Sequence, residues 1–132
     1  MNYLLDTSIS IYFLRQHIGI IKRMGQCGDD EIAISIITLA ELQFGAYNSS
    51  HVENNIKRVE FFLERAQLLD ITPITTDIFA RIKASLRKSG NSIDDFDILI
   101  GATAIENDLT LVTDNERHFS RIEKLRLINW LE

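Results

Sequence analysis

The chain has 132 residues, a formal net charge of −5 at pH 7, 45% hydrophobic residues and 25% charged residues. This length suits one domain with its own core, and we expect a single domain over residues 1–132. The negative charge argues against binding of nucleic acid through a broad basic surface. The only cysteine, Cys27, excludes an intramolecular disulfide framework. Without a signal-like start or an apolar stretch near the roughly 20 residues of a membrane span, we expect a cytoplasmic protein with no membrane contact.

Short apolar runs alternate with segments of helical periodicity along the chain. The predicted strands cover residues 3–5, 32–36, 68–71, 110–113 and 126–129. Thr7 or Ser8 is predicted to cap a first helix that runs to Leu14, and Thr38 is predicted to cap the helix after the second strand. The alternation predicts an α/β, three-layer domain in which a central, mainly parallel sheet of about five strands is flanked by helices.

Three later segments carry apolar residues at helical spacing. They cover residues 51–67, about 76–88 and 97–105, and Gly90 is predicted to stop the second. Phe61 and Phe62 are adjacent and cannot both face one core, so one of them is free to contact a partner. The alternative is a helix with a broad buried face.

Four carboxylates stand at the ends of predicted strands or at the start of the helices that follow: Asp6, Glu41, Asp97 and Asp114. Because loops and helix starts after the carboxyl ends of parallel strands converge on one crevice, we expect these acids to be neighbours. Like charges gathered there repel, and a divalent cation relieves the repulsion. Oxygen ligands without a histidine or cysteine cluster favour Mg²⁺ or Mn²⁺.

Two of these acids also have simpler explanations. Glu41 stands three residues after Thr38, which fits reciprocal capping of a helix. Asp94, Asp95 and Asp97 precede or open a predicted helix, where carboxylates gain from the helix dipole with or without a metal. Only one of these three need be a metal ligand.

The predicted metal favours chemistry on phosphate esters. Magnesium usually keeps waters and substrate phosphate oxygens in its shell, so metal-assisted hydrolysis of a phosphodiester by an activated water is the expected reaction. Four basic side chains are candidates for contact with a phosphate backbone: Arg87, Lys88, Arg117 and His118. The alternative is that these charges only form a solvated face.

Four segments resemble the PIN-domain ribonucleases, and among them the VapC type of bacterial toxin. They are YLLDTS at 3–8, ELQFG at 41–45, DILIGATA at 97–104 and TLVTDNERHF at 110–119, with a similar tail at 125–130. The resemblance covers nearly the whole chain. It implies an endoribonuclease dependent on Mg²⁺ or Mn²⁺, commonly a homodimer, that cleaves cellular RNA and is silenced by a cognate antitoxin.

Carried over by position, the resemblance places the family's first three acids on Asp6, Glu41 and Asp97. The fourth is Asp114 or, one residue further, Asn115, and we favour Asp114 as the charged participant. Thr113 and Asn115 are then expected to support the site or position water.

The resemblance also implies an antitoxin that covers exposed apolar residues. The candidates for its groove are Phe44, Tyr47, Phe61 and Phe62. Two other functions stay open: a phosphate-monoester hydrolase with an acidic Mg²⁺ site, and a non-catalytic binding module of the same fold. The first would need a second acid two residues after Asp6, where Ser8 stands, and the second would have little reason to keep four clustered acids.

Overall fold

Five parallel strands form the central sheet of the computed structural model, which describes residues 1–132. They are β1 (Tyr3–Leu5), β2 (Ile32–Ser35), β3 (Gln67–Leu69), β4 (Thr110–Val112) and β5 (Leu127–Ile128). The strand order is β3-β2-β1-β4-β5, and every neighbouring pair is parallel. The predicted α/β fold with a parallel sheet is confirmed. Strand β1 has the predicted bounds, β3 begins one residue earlier than predicted, and β2 to β5 are each slightly shorter than predicted.

Seven α-helices and one short 3₁₀ turn (Asp29–Glu31) connect the strands. The helices are α1 (Thr7–Leu14), α2 (Ile18–Gly25), α3 (Ile36–Tyr47), α4 (Val52–Leu63), α5 (Pro73–Lys88), α6 (Asp95–Glu106) and α7 (Glu116–Phe119). None of these helices has the length and apolar character needed to cross a bilayer.

The sheet separates two apolar cores, because successive side chains of a strand point to opposite faces. Leu5 packs in one core with residues of α1 to α4, including Ile9 and Phe62. Leu4 packs in the other core with residues of α6, including Ile98 and Ile100. All six side chains are at most 1% exposed. Strand β1 lies between β2 and β4, so the residue that follows it emerges in the middle of the molecule.

Two predicted helix caps are wrong, and both errors have the same cause. Asp6 caps α1 by accepting a hydrogen bond from the backbone N–H of Ile9 at 2.9 Å, which displaces Thr7 and Ser8 from that role. Ser35 caps α3 by accepting from the N–H of Thr38 at 3.0 Å, so Thr38 is inside the helix. In both cases the strand runs directly into the helix without a loop. Reciprocal capping therefore does not explain Glu41.

The neighbouring phenylalanines of α4 face opposite directions, as predicted. Phe62 is fully buried and its ring lies 5.1 Å from that of Phe13, whereas Phe61 is 56% exposed. Phe62 therefore belongs to the core, and the prediction that it contributes to a partner groove is wrong.

We expect Phe62→Ala to lower the free energy of unfolding by about 3–5 kcal/mol, because it removes a buried ring and leaves a cavity. Phe61→Ala, the matched change one residue earlier, should lower it by less than about 1 kcal/mol. Chemical denaturation followed by circular dichroism measures both. Similar losses in the two variants would contradict this assignment of the core.

Candidate active site

Asp6 lies at the carboxyl end of the central strand and is 4% exposed. Its backbone N–H donates to the carbonyl of Val112 on β4 at 3.0 Å, which continues the pairing of the two strands. Its side chain accepts from the N–H of Ile9, so the carboxylate is fixed by the start of α1. The strand and the helix together leave this acid little freedom to move.

Burial raises the pKa of Asp6 to about 6, because a charged carboxylate loses its hydration there. The Thr113 hydroxyl and the Ile9 amide lower that pKa, while the negative charges of Asp114 and Asp97 raise it. Three of the predicted acids thus share one electrostatic environment. Thr113 is fully buried at the end of β4, and its hydroxyl favours the charged form of Asp6.

Asp97 occupies the first turn of α6, and its Oδ2 accepts a hydrogen bond from Nε2 of His118 at 3.1 Å. Burial raises the pKa of Asp97, the His118 contact lowers it, and the charge of Asp94 raises it. His118, a candidate for contact with phosphate, thus bonds one of the four predicted acids in the structure. Its ring also packs edge-on against Phe119, 5.5 Å away.

Glu41 lies on α3, and its Oε1 accepts a hydrogen bond from Oγ1 of Thr7 at 2.6 Å. Thr7 Oγ1 also lies 3.2 Å from Oγ1 of Thr38. Because Thr7 directly follows Asp6, this bond connects the second predicted acid to the first. The sequence pattern predicted Thr7 only as a possible helix cap, and its position directly after Asp6 was the one available signal for this contact.

The fourth position is divided between two neighbours. Asp114 is half-buried after β4, and its charge acts on Asp6. Asn115 is exposed, and its backbone N–H donates to the hydroxyl of Thr113 at 2.9 Å. The arrangement favours Asp114 as the charged group, while Asn115 orders the turn after β4 through its backbone.

The remaining acids of the Asp94-Asp95-Asp97 segment have other partners. Asp94 caps α6 by accepting from the N–H of Phe96 at 3.1 Å, and Asp95 pairs with Lys83 of α5 at 2.9 Å. Of these three acids, only Asp97 is among the charges that act on Asp6.

The other predicted phosphate contacts lie on two different helices. Arg87 and Lys88 are exposed on the last turn of α5, and Arg117 is exposed on α7, one residue before His118. Their roles stay predictions.

The donor set fits a hard divalent cation that is only partly held by protein. No three histidine, cysteine, aspartate or glutamate side chains lie close enough to hold a metal ion by themselves. Mg²⁺ commonly binds through one or two carboxylates and completes its shell with water and phosphate oxygens. Asp6, whose charge is opposed by burial and by two other acids, is the group that such an ion would most stabilise.

Comparisons with known proteins agree with this architecture. A sequence model described as "PIN domain" matches residues 3–125. The chain is 41% identical over 132 residues to "Ribonuclease VapC2" of Haemophilus influenzae, covering 99% of both. It is 30% identical to the "tRNA(fMet)-specific endonuclease VapC" of Shigella flexneri, covering 98% of both. The crystal structure of VapBC2 from Rickettsia felis bound to a promoter DNA fragment contains a chain that superposes with a TM-score of 0.93 at 35% identity, covering 98% and 99% of the two chains.

The raised pKa of Asp6 predicts a pH dependence of stability in the absence of divalent cations. The folded protein holds this proton more tightly than the unfolded chain, so the free energy of unfolding falls as pH rises from about 4 to about 6. The loss is on the order of 3 kcal/mol. Asp6→Asn keeps a capping oxygen but carries no charge, so this part of the loss should disappear.

Denaturation of both proteins in EDTA at several pH values measures the difference. The variant should be the more stable protein at pH 7.5 and should approach the unmodified protein near pH 4. The same pH dependence in both proteins would show that the buried charge of Asp6 is not the cause.

Proposed function

The chain belongs to the PIN-domain family, and we propose that it is the endoribonuclease toxin of a type II toxin–antitoxin pair. Its named ribonuclease relatives support the nuclease activity. The observation that carries the proposal is the buried Asp6 carboxylate, which shares its environment with Asp97 and Asp114. RNA is the proposed substrate, one domain over residues 1–132 is the proposed unit, and the cytoplasm is its proposed location.

The proposed cofactor is Mg²⁺ or Mn²⁺, held by Asp6 and Asp97 with Glu41 and Asp114 beside them. When bound, the ion supplies a polarised water and offsets the charge of the scissile phosphate. The protein's part is to keep the acids charged and oriented. Ile9 fixes Asp6 through its amide, and His118 fixes Asp97.

Glu41 and Asp114 are the proposed acceptors for the proton of the attacking water. The Thr7 hydroxyl donates a hydrogen bond to Oε1 of Glu41 and so fixes the orientation of Oε2 of Glu41. Thr113 and Asn115 keep the turn that carries Asp114 in place. Arg87, Lys88 and Arg117 remain proposed contacts for more distant phosphates, whereas His118 is assigned to Asp97.

The proposed protein partners are an antitoxin and a second copy of the chain. Solved complexes of similar proteins are named VapBC, which supports an antitoxin partner. Exposed aromatic side chains are the proposed contacts: Phe44 and Tyr47, one turn apart on α3, and Phe61 on α4. Phe44 is 69% exposed and Tyr47 66%, so these rings gain most from being covered.

We expect Asp97→Asn to reduce cleavage of RNA by more than about 100-fold, because it removes a charged ligand next to Asp6. The matched control is Asp94→Asn, three residues earlier. It removes a negative charge but keeps a side-chain oxygen that can accept the capping hydrogen bond from Phe96. Cleavage of a labelled single-stranded RNA by purified protein with Mg²⁺ measures both variants.

EDTA should stop cleavage by the unmodified protein, and added Mn²⁺ should restore it. Equal activity of Asp97→Asn and Asp94→Asn would reject the assigned mechanism. Absence of cleavage by the unmodified protein under all conditions would favour the non-catalytic binding module.

A further inference from the structure

A cavity of about 380 Å³ lies beside Glu41, between helices α1, α3 and α4. Glu41 forms part of its wall, together with Arg15 from the end of α1 and Arg58 from α4. We call it the Arg15–Arg58 pocket. Because Glu41 is bonded to Thr7, the residue after Asp6, a molecule bound here would lie next to the acidic site.

The two guanidinium groups of this pocket have no carboxylate partner. The five ion pairs of the chain use Arg65, Arg81, Lys83, His118 and Arg126. Neither Arg15 nor Arg58 donates a side-chain hydrogen bond elsewhere in the protein. The pocket also contains one carboxylate, Glu41, whose Oε1 accepts a hydrogen bond from Thr7. Its two unpaired guanidinium groups outnumber that acid, so in a chain of net charge −5 they form a local site for an anion.

The rest of the pocket combines an apolar surface with a polar edge. The apolar residues are Ile11, Leu14, Leu42, Ala46 and Val59, and the polar ones are Asn48, Ser49 and Asn55. Asn55 Nδ2 donates to the Ser49 hydroxyl at 2.9 Å, and that hydroxyl donates to the carbonyl of Ala46 at 2.6 Å. The Asn55 amide is thereby oriented, and its oxygen remains free to accept a hydrogen bond.

We infer that the Arg15–Arg58 pocket binds a nucleotide of single-stranded RNA adjacent to the scissile phosphodiester. The base rests on the apolar wall and meets the amides at its edge, and the guanidinium groups contact the phosphate. This inference rests on the proposed function, since it assigns the substrate of that site. It gives an acidic protein a localised contact with RNA where a broad basic surface is missing.

A protein segment is the main alternative occupant. A neighbouring cavity of about 420 Å³ shares Leu14 and Arg58 with the pocket and includes Phe13 and the exposed Phe61. That neighbouring cavity suits an apolar side chain of a protein partner. In the Arg15–Arg58 pocket, however, an uncharged segment would leave both guanidinium groups without a counter-charge, so RNA is the better match.

The test measures RNA binding separately from cleavage. Asp97→Asn protein is the parent, and Arg15→Gln and Arg58→Gln are added together. The control is Arg126→Gln in the same parent, because Arg126 pairs with Asp108 just before β4, at the amino edge of the sheet and far from the acids. All three arginines are exposed, and circular dichroism checks that the variants fold.

Fluorescence anisotropy with a labelled single-stranded RNA gives the dissociation constant at several salt concentrations. The double variant should bind at least about tenfold more weakly than the control. The slope of its log affinity against log salt concentration should be smaller in magnitude by about 1.4, the change expected when two contacts with the phosphates of a single strand are lost.

Equal affinity and salt dependence in the double variant and the control would overturn the inference. Unchanged RNA affinity with weakened binding of the antitoxin would assign the pocket to the protein partner and would overturn it as well. Failure of the proposed function has a different signature, because it appears as absence of cleavage by the unmodified protein.

Discussion

The buried charge of Asp6 is the constraint on which the site depends. Strand β1 runs between β2 and β4, and the residue at its end is an acid, Asp6, which is only 4% exposed. The amide of Ile9 and the hydroxyl of Thr113 stabilise the carboxylate only in part, because its pKa still rises to about 6. A buried carboxylate with two more acids nearby is unfavourable in an empty site and favourable around a cation. The buried charge therefore destabilises the fold when no cation is present, and binding of a metal relieves that destabilisation.

Two of the other acids, Asp97 and Glu41, each have a neighbouring side chain that holds them in place. His118 of α7 bonds Asp97 of α6, and Thr7 of α1 bonds Glu41 of α3. The supporting groups thus come from elements other than those that carry the acids. A shift of one helix would disturb two parts of the site together, which connects the packing of the outer layers to the geometry of the centre.

The strands, their parallel arrangement and the proximity of Asp97 and Asp114 to Asp6 could be predicted because they follow from hydrophobic runs and from the rule that strand ends converge. The caps could not, since the pattern does not reveal that β1 and β2 enter their helices without a loop, which makes Asp6 and Ser35 the caps. The bond between His118 and Asp97 depends on where α7 packs, and the Arg15–Arg58 pocket depends on how three helices meet. Both features depend on the packing angles between helices, and no local sequence pattern encodes those angles.

We propose that a divalent cation binds at Asp6 and offsets its buried negative charge. Titration of the protein with Mn²⁺ in an isothermal calorimeter, without RNA and at pH 7.5, tests this binding most directly. We expect saturable binding that Asp6→Asn weakens by at least about tenfold, together with Mn²⁺-dependent stabilisation against heat that the variant lacks. Equal Mn²⁺ affinity of the two proteins would contradict it.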